Sequence, residues 1–195
     1  LLKGVPVVET KVIVKEHSPH NDLANRCILI TGGSSGIGFY IARKCLAAGA
    51  SVCITGRAIN KLRAAQEKLG ENCFAIQHDV SDIKSYQKIF LQCEKLFGSP
   101  IDDLVSNAGI SLHEGSFCNV TEAGWDSQMG INLKANYFIC KAFIEYREKQ
   151  ESTAGNILVI TSDRGSRADD IPYGLTKVAS NSFVRGFAHK IIQKG

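Results

Sequence analysis

Two stretches of this chain bring together residue types that chemistry can use. Thr31-Gly32-Gly33-Ser34-Ser35-Gly36-Ile37-Gly38 is a glycine-rich turn that follows an apolar run, Cys27 to Ile30. It opens into helical apolar spacing at Ile37, Ile41, Cys45 and Leu46. Free backbone N–H groups and the helix dipole favour a diphosphate at such a turn. Gly32 permits a sharp exit from the strand, Gly36 removes a Cβ where a pyrophosphate approaches, and Gly38 lets helix and sheet pack closely. The first gap is one residue longer than in the commonest dinucleotide fingerprint, and the pattern also fits a tight turn that binds nothing. The second stretch, Tyr173-Gly174-Leu175-Thr176-Lys177, sets a phenol and an ammonium four residues apart in a helical pattern, hence on one face. An ammonium beside a phenol favours the phenolate and makes the phenol a usable proton donor or acceptor near neutral pH. A solvated helix pair is the competing reading.

The elements that must hold these residues alternate regularly after residue 26. Short apolar runs predict strands at 27–31, 51–55, 73–77, 102–106 and 156–161, and several lack the polar alternates of a half-exposed strand. Helical spacing is predicted at 36–48, 58–69, 82–97, 122–149 and 172–194. Gly49 stands where a helix stop is favoured. Repeated strand–helix units predict an α/β fold, a doubly wound parallel sheet with helices on both faces. Ligands in such folds bind beyond the C-terminal strand ends. Asn107-Ala108-Gly109 and Thr161-Ser162 stand there, after the fourth and fifth strands. Residues 1–21 do not fit the repeat and read as a β-prone arm, or as an extension ordered only by contacts; residues 22–195 read as one domain.

Composition narrows the function classes. The 195 residues carry a net charge of +4, 44% hydrophobic and 22% charged residues, ordinary for a globular domain. The basic residues are scattered, so no nucleic-acid surface is expected. Seven cysteines without a Cys-x-x-Cys pair predict free thiols, no structural metal and a reducing, cytoplasmic setting. No apolar run has the length of a membrane span. The chain opens on Leu1, so the natural start is expected upstream.

The glycine turn, the Ser162 strand end and the Tyr-x-x-x-Lys pair occur in one order, and from about residue 22 onward the sequence resembles the short-chain dehydrogenase/reductase family in its short-subunit form. The resemblance implies a Rossmann-like fold that holds a cofactor diphosphate on Thr31 to Gly38, with Ser34, Ser35 and Ile37 among the contacts. It implies that Asp79-Val80 touch the adenine, and that Asn107, Ala108 and Gly109 support the sheet centre and a ribose. Ser106 stands where a second Asn is frequent. It assigns Ser162 to the substrate carbonyl, Tyr173 to acid/base work, Lys177 to the nicotinamide ribose and to Tyr173, and Asn132 to a relay water. Other readings stand beside these. Asp79 fits a helix N-cap before Ser81-Asp82, Asn132 a mid-helix amide satisfied by backbone, and His113 a solvated loop residue. Thr161 is placed to serve instead of Ser162.

The second strand ends Ile54-Thr55-Gly56-Arg57. A carboxylate there would bind unphosphorylated ribose and repel a 2′-phosphate, whereas Arg57 can pair with phosphate. NADP(H) is therefore expected over NAD(H), with Arg57 as helix cap or non-discriminating stack the alternative. The expected reaction is reversible hydride transfer between NADP(H) and a small carbonyl or alcohol. A cofactor-binding protein without turnover, and a redox-neutral epimerase or dehydratase, are the alternatives. The resemblance also implies a homodimer or homotetramer through the helices near 122–149 and 172–194. Two departures from the family pattern stand out. Ser162 and Tyr173 are only 11 residues apart, and the family's C-terminal strands, Pro-Gly contact and substrate loop are not found within residues 1–195.

Overall fold

The computed structural model describes residues 22–150 and 155–192. Five parallel strands form one sheet: β1 (Cys27–Thr31), β2 (Ser51–Gly56), β3 (Cys73–Gln77), β4 (Asp103–Ser106) and β5 (Asn156–Val159), in the order β3-β2-β1-β4-β5. The register runs in step, with Thr31 beside Thr55 and Ile30 beside Val105. The predicted arm at residues 1–21 lies outside the described residues.

Alternation along the central strands splits the core into two layers. Leu29, Cys53 and Leu104 face α3 (Tyr86–Phe97) and α5 (Asn136–Lys149), with Phe183 and Phe187 of α6 (Pro172–Ile192) at the margin. Ile28, Ile30, Val52, Ile54 and Val105 face α1 (Gly36–Ala47) and α2 (Ile59–Leu69). Successive side chains on a strand point to opposite faces, so apolar runs without polar alternates read correctly as strands covered on both sides. The two outer strands are the exceptions: β5 is half-exposed along its length, with Leu158 51% exposed, and β3 is buried only at Cys73. All seven cysteines are free thiols.

Several boundaries differ from expectation. The helix expected at 82–97 begins as a 3-10 turn, Ile83–Ser85, before α3. The single helix expected over 122–149 is three pieces: α4 (Glu122–Gln128), a π-helical segment Met129–Ala135, and α5. Side-chain bonds inserted at Asn132 and Asn136 accompany that widening, a common cause of a π turn. The strand expected over 156–161 stops at Val159, where its pairing with β4 runs out at Ser106, and Ser162 caps a 3-10 turn, Asp163–Ser166. On α1, Ile37 does not join the core face; it is 62% exposed, and Gly38 and Ala42 are the buried residues of that helix. The helix starts at Gly36, so the Ile37 side chain projects at the mouth of the turn rather than under the sheet.

The end of the sheet away from the glycine turn is pinned by polar bonds. Arg26 pairs bidentately with Asp103, whose Oδ1 also accepts from the Asn156 backbone and amide N–H groups, and Cys27 N–H donates to Asp102. These bonds hold the starts of β1, β4 and β5 in line. The opposite ends are left to build a site.

Candidate active site

The glycine turn sits where strand order reverses, between β1 and β4. Gly32 (φ +67°) and Gly36 (φ +54°) both take the left-handed conformation that makes the exit possible without strain. Asn107 locks the turn to the end of β4: its Nδ2 donates to the carbonyls of Thr31 (2.9 Å) and Gly32 (3.2 Å). Thr31 Oγ1 accepts from the Asn107 and Ala108 N–H groups, each at 3.0 Å. A Cβ on Gly38 would lie 2.5 Å from Asn107 Nδ2 and 2.6 Å from the Gly32 carbonyl oxygen. Close helix–sheet approach at Gly38 is thus an approach to this bracket.

A cleft of about 520 Å³ opens over these strand ends. Its lining brings together Gly32, Ser34, Ser35 and Ile37 from the turn, and Arg57, Asp79 and Val80 from the ends of β2 and β3. Asn107, Ala108 and Gly109 after β4 also line it, as do Tyr173 and Lys177 at the start of α6. Residues separated by more than a hundred positions therefore share one wall. Gly36 and Gly38 shape the turn without lining the cleft, and Asn132 and Ser162 do not line it either.

Lys177 is buried; its Nζ donates to the Ile160 carbonyl (3.0 Å) and stands 5.4 Å from the centre of the Tyr173 ring. Burial holds this amine below the usual lysine range. Asp79 Oδ1 accepts from the Ser81 N–H (2.9 Å) and hydroxyl (2.8 Å), whereas the N-cap of the 3-10 turn that follows is Asp82 rather than Asp79. The Ser81 N–H chiefly, with the Ser81 hydroxyl and the nearby Arg57 guanidinium, holds the Asp79 carboxyl below its usual range despite partial burial. Arg57 is exposed, with its carbonyl accepting from Gln77.

Asn132 is fully buried and its amide is spent on backbone. Oδ1 accepts from Ile110 N–H (2.8 Å), and Nδ2 donates to the Ile110 carbonyl (2.7 Å). Its own carbonyl accepts from Asn136 Nδ2 (2.7 Å), and Asn136 Oδ1 accepts from the Ser106 hydroxyl. This chain ties the π segment to β4, so the side chain holds the loop after β4 rather than facing the cleft. Ser162 is likewise engaged. Its Oγ donates to Asp163 Oδ1 (2.9 Å) and accepts from Arg164 N–H (3.3 Å), while Thr161 lines the cleft instead.

The short link between Ser162 and Tyr173 is held by a half-buried ion pair. Arg164 forks onto Asp169, with Nη2 to Oδ1 at 2.8 Å, and the Asp169 side chain is 2% exposed. Burial works against that charge, yet Arg164 and the Ile171 N–H together hold the carboxyl below its usual range. Gly174 leaves room for it, since a Cβ there would meet Asp169 at 2.1 Å. Asp170 accepts from Phe117 N–H (3.0 Å), joining this link to the segment after β4. His113 is exposed, 3.5 Å from the Ser111 hydroxyl, and lies outside the lining.

Lys61, His78, Ile110, Ser111 and Ile131 line the cleft although sequence reasoning did not single them out. Lys61 follows Arg57 at helical spacing and His78 precedes Asp79, and those neighbours were the available signals. No candidate metal cluster occurs among the described residues, nor any helix long and apolar enough to cross a membrane.

A family model described as short chain dehydrogenase matches residues 26–195. Dehydrogenase/reductase SDR family member 4 of Mus musculus is 30% identical over 89% of this chain and 63% of its own length. The NADP-dependent (R)-specific alcohol dehydrogenase of Lentilactobacillus kefiri is 32% identical over 75% of this chain and 58% of its own length. This chain thus spans less than two thirds of either relative. The crystal structure of gox2181 superposes with a TM-score of 0.81 at 26% identity, covering 88% of this chain and 68% of that one.

Proposed function

The chain belongs to the short-chain dehydrogenase family, and we propose that it transfers hydride between NADP(H) and a ketone or secondary alcohol. The observation that carries this reading is a single cleft shared by the glycine turn, Arg57 and the Tyr173–Lys177 pair. A dinucleotide fits the residues present. The space beyond Gly36 is open, no carboxylate occupies the first turn of α1, and the Ser35 hydroxyl is not spent as a cap. The Lentilactobacillus kefiri relative, NADP-dependent by its name, adds support for the cofactor.

The bound cofactor supplies or accepts the hydride; the remaining work falls to this chain's side chains. Lys177, anchored at the Ile160 carbonyl, places a cation beside the Tyr173 ring. Tyr173 holds the proton exchanged with the substrate oxygen. Thr161 faces the cleft as a hydroxyl able to orient that oxygen, and Ser162 takes the role if its bond to Asp163 opens. Asn132 contributes by gripping Ile110, whose side of the cleft it fixes.

The engagement of Ser162 favours a second reading, cofactor binding without turnover. NADPH oxidation against a carbonyl panel, run beside a cofactor titration, separates the readings. Net oxidation that Tyr173→Phe abolishes, with cofactor affinity kept, supports hydride transfer. Binding without oxidation supports the second reading, and substrate conversion without net cofactor change points to an epimerase or dehydratase. A second copy of the chain is the expected partner. A groove of about 750 Å³ between the π segment, α5 and α6, lined by Leu133, Tyr137, Phe138 and Phe183, supports that expectation.

A further inference from the structure

We propose that Lys61 is a second determinant of cofactor choice, gripping the 2′-phosphate of NADP(H) together with Arg57; this rests on the NADP(H) reading above. Arg57 and Lys61 line the same end of the cleft, with Gly56 and Asp79. Both are exposed, and no ion pair among the described residues engages either one.

Charge bookkeeping assigns Lys61 its part. Asp79 is the acidic residue of the lining, and the Arg57 charge acts on its carboxylate. Arg57 and Asp79 therefore largely offset one another at a distance. At the β2–β3 end Lys61 then leaves the surplus positive charge, since Lys177, the other cation of the lining, is anchored at Ile160 beyond β5. A phosphate monoester carries about −1.5 to −2 at neutral pH, whereas an unphosphorylated ribose carries none, so the surplus discriminates between the two cofactors. The position of Lys61 adds to this effect. It lies in the first turn of α2, where no acidic residue and no side-chain cap neutralises the backbone N–H groups. Lysine presents a compact charge on a flexible stem, which complements the planar fork of Arg57.

The test is direct binding, measured by calorimetry on the full chain with NADPH, NADH, 2′,5′-ADP and 5′-AMP as probes. Lys61→Met is expected to weaken NADPH and 2′,5′-ADP by about fivefold, with NADH and 5′-AMP unchanged. Lys61→Arg is expected to restore both phosphorylated probes, and Lys61→Met to flatten the salt dependence of NADPH binding. Suppose wild type prefers NADPH, Arg57→Asp abolishes the preference, and Lys61→Met either changes nothing or weakens both cofactors equally. Lys61 is then overturned while the NADP(H) reading stands. Equal binding of NADPH and NADH by wild type overturns both.

Discussion

Asn107 joins two strand ends with one amide, and the tolerance for change around it is correspondingly small. A methyl group at Gly38 would press on its Nδ2 and on the Gly32 carbonyl, two groups with nowhere to move. Gly38→Ala is therefore expected to cost about 1–3 kcal/mol in denaturant unfolding and to weaken cofactor binding through the displaced turn. His78 offers a pH-dependent counterpart. Ser85 Oγ donates its proton to the Asp82 carbonyl, so it must accept from His78 Nε2–H, leaving Nδ1 as a buried, unprotonated and unpartnered nitrogen. Burial, against the pull of Asp82 and Asp79, holds this imidazole below its usual value near 6.5. The unfolded chain takes up the proton more readily than the folded one. The contribution to stability is whole above the usual value and is lost as pH falls from there through the folded value. Melting temperature should drop between about pH 7.5 and 5.5 for wild type and drop less for His78→Asn. Equal slopes would discount the histidine.

At the scale of elements, the link between β5 and α6 is held by its own side chains. Its shortness was visible in the sequence, but as an anomaly. The fold resolves it: the link closes on the Arg164–Asp169 pair, with Gly174 cleared to admit the carboxylate. The two partners are not equally exposed, 34% for Arg164 and 2% for Asp169. Removing the arginine strands a buried carboxylate, while removing the carboxylate's charge lets the arginine turn to water. Arg164→Ala should thus cost about 3 kcal/mol and Asp169→Asn about 1 kcal/mol, measured by equilibrium unfolding. A reversed order would mean that the pair is not the anchor of the link. The π segment is a second case of an element made by its contacts. The local pattern of 122–149 is helical throughout, and the widening at Met129–Ala135 accompanies bonds to Ile110 and Ser106 that local spacing does not encode.

For the whole molecule, one sheet with a covered layer on each face supports a site at its C-terminal ends. Aromatic residues of α5 and α6 also line a separate groove. Tyr137, Phe183 and Phe187 meet edge-on or tilted, with ring centroids 4.9 to 5.5 Å apart, and the proposed second copy would cover this face. Sedimentation of wild type should show a dimer or larger, and Phe183→Glu should shift it towards monomer. A wild-type monomer at micromolar concentration would sink that expectation.

What the sequence determined by itself was local. Apolar runs marked the strands, helical spacing marked most helices, glycines marked the turn, and a gap of four put Tyr173 and Lys177 on one face. Each of these depends on steric rules that act over a few residues. Tertiary structure decided what those rules cannot reach. It set Ile37 at the cleft mouth, turned Ser162 to Asp163 and left Thr161 facing the cleft, and spent the Asn132 amide on Ile110. It also carried Lys61 and His78 into the lining. Those outcomes follow from which strand ends become neighbours, and hydrogen bonds and charge act through space on whatever the fold brings within a few ångströms.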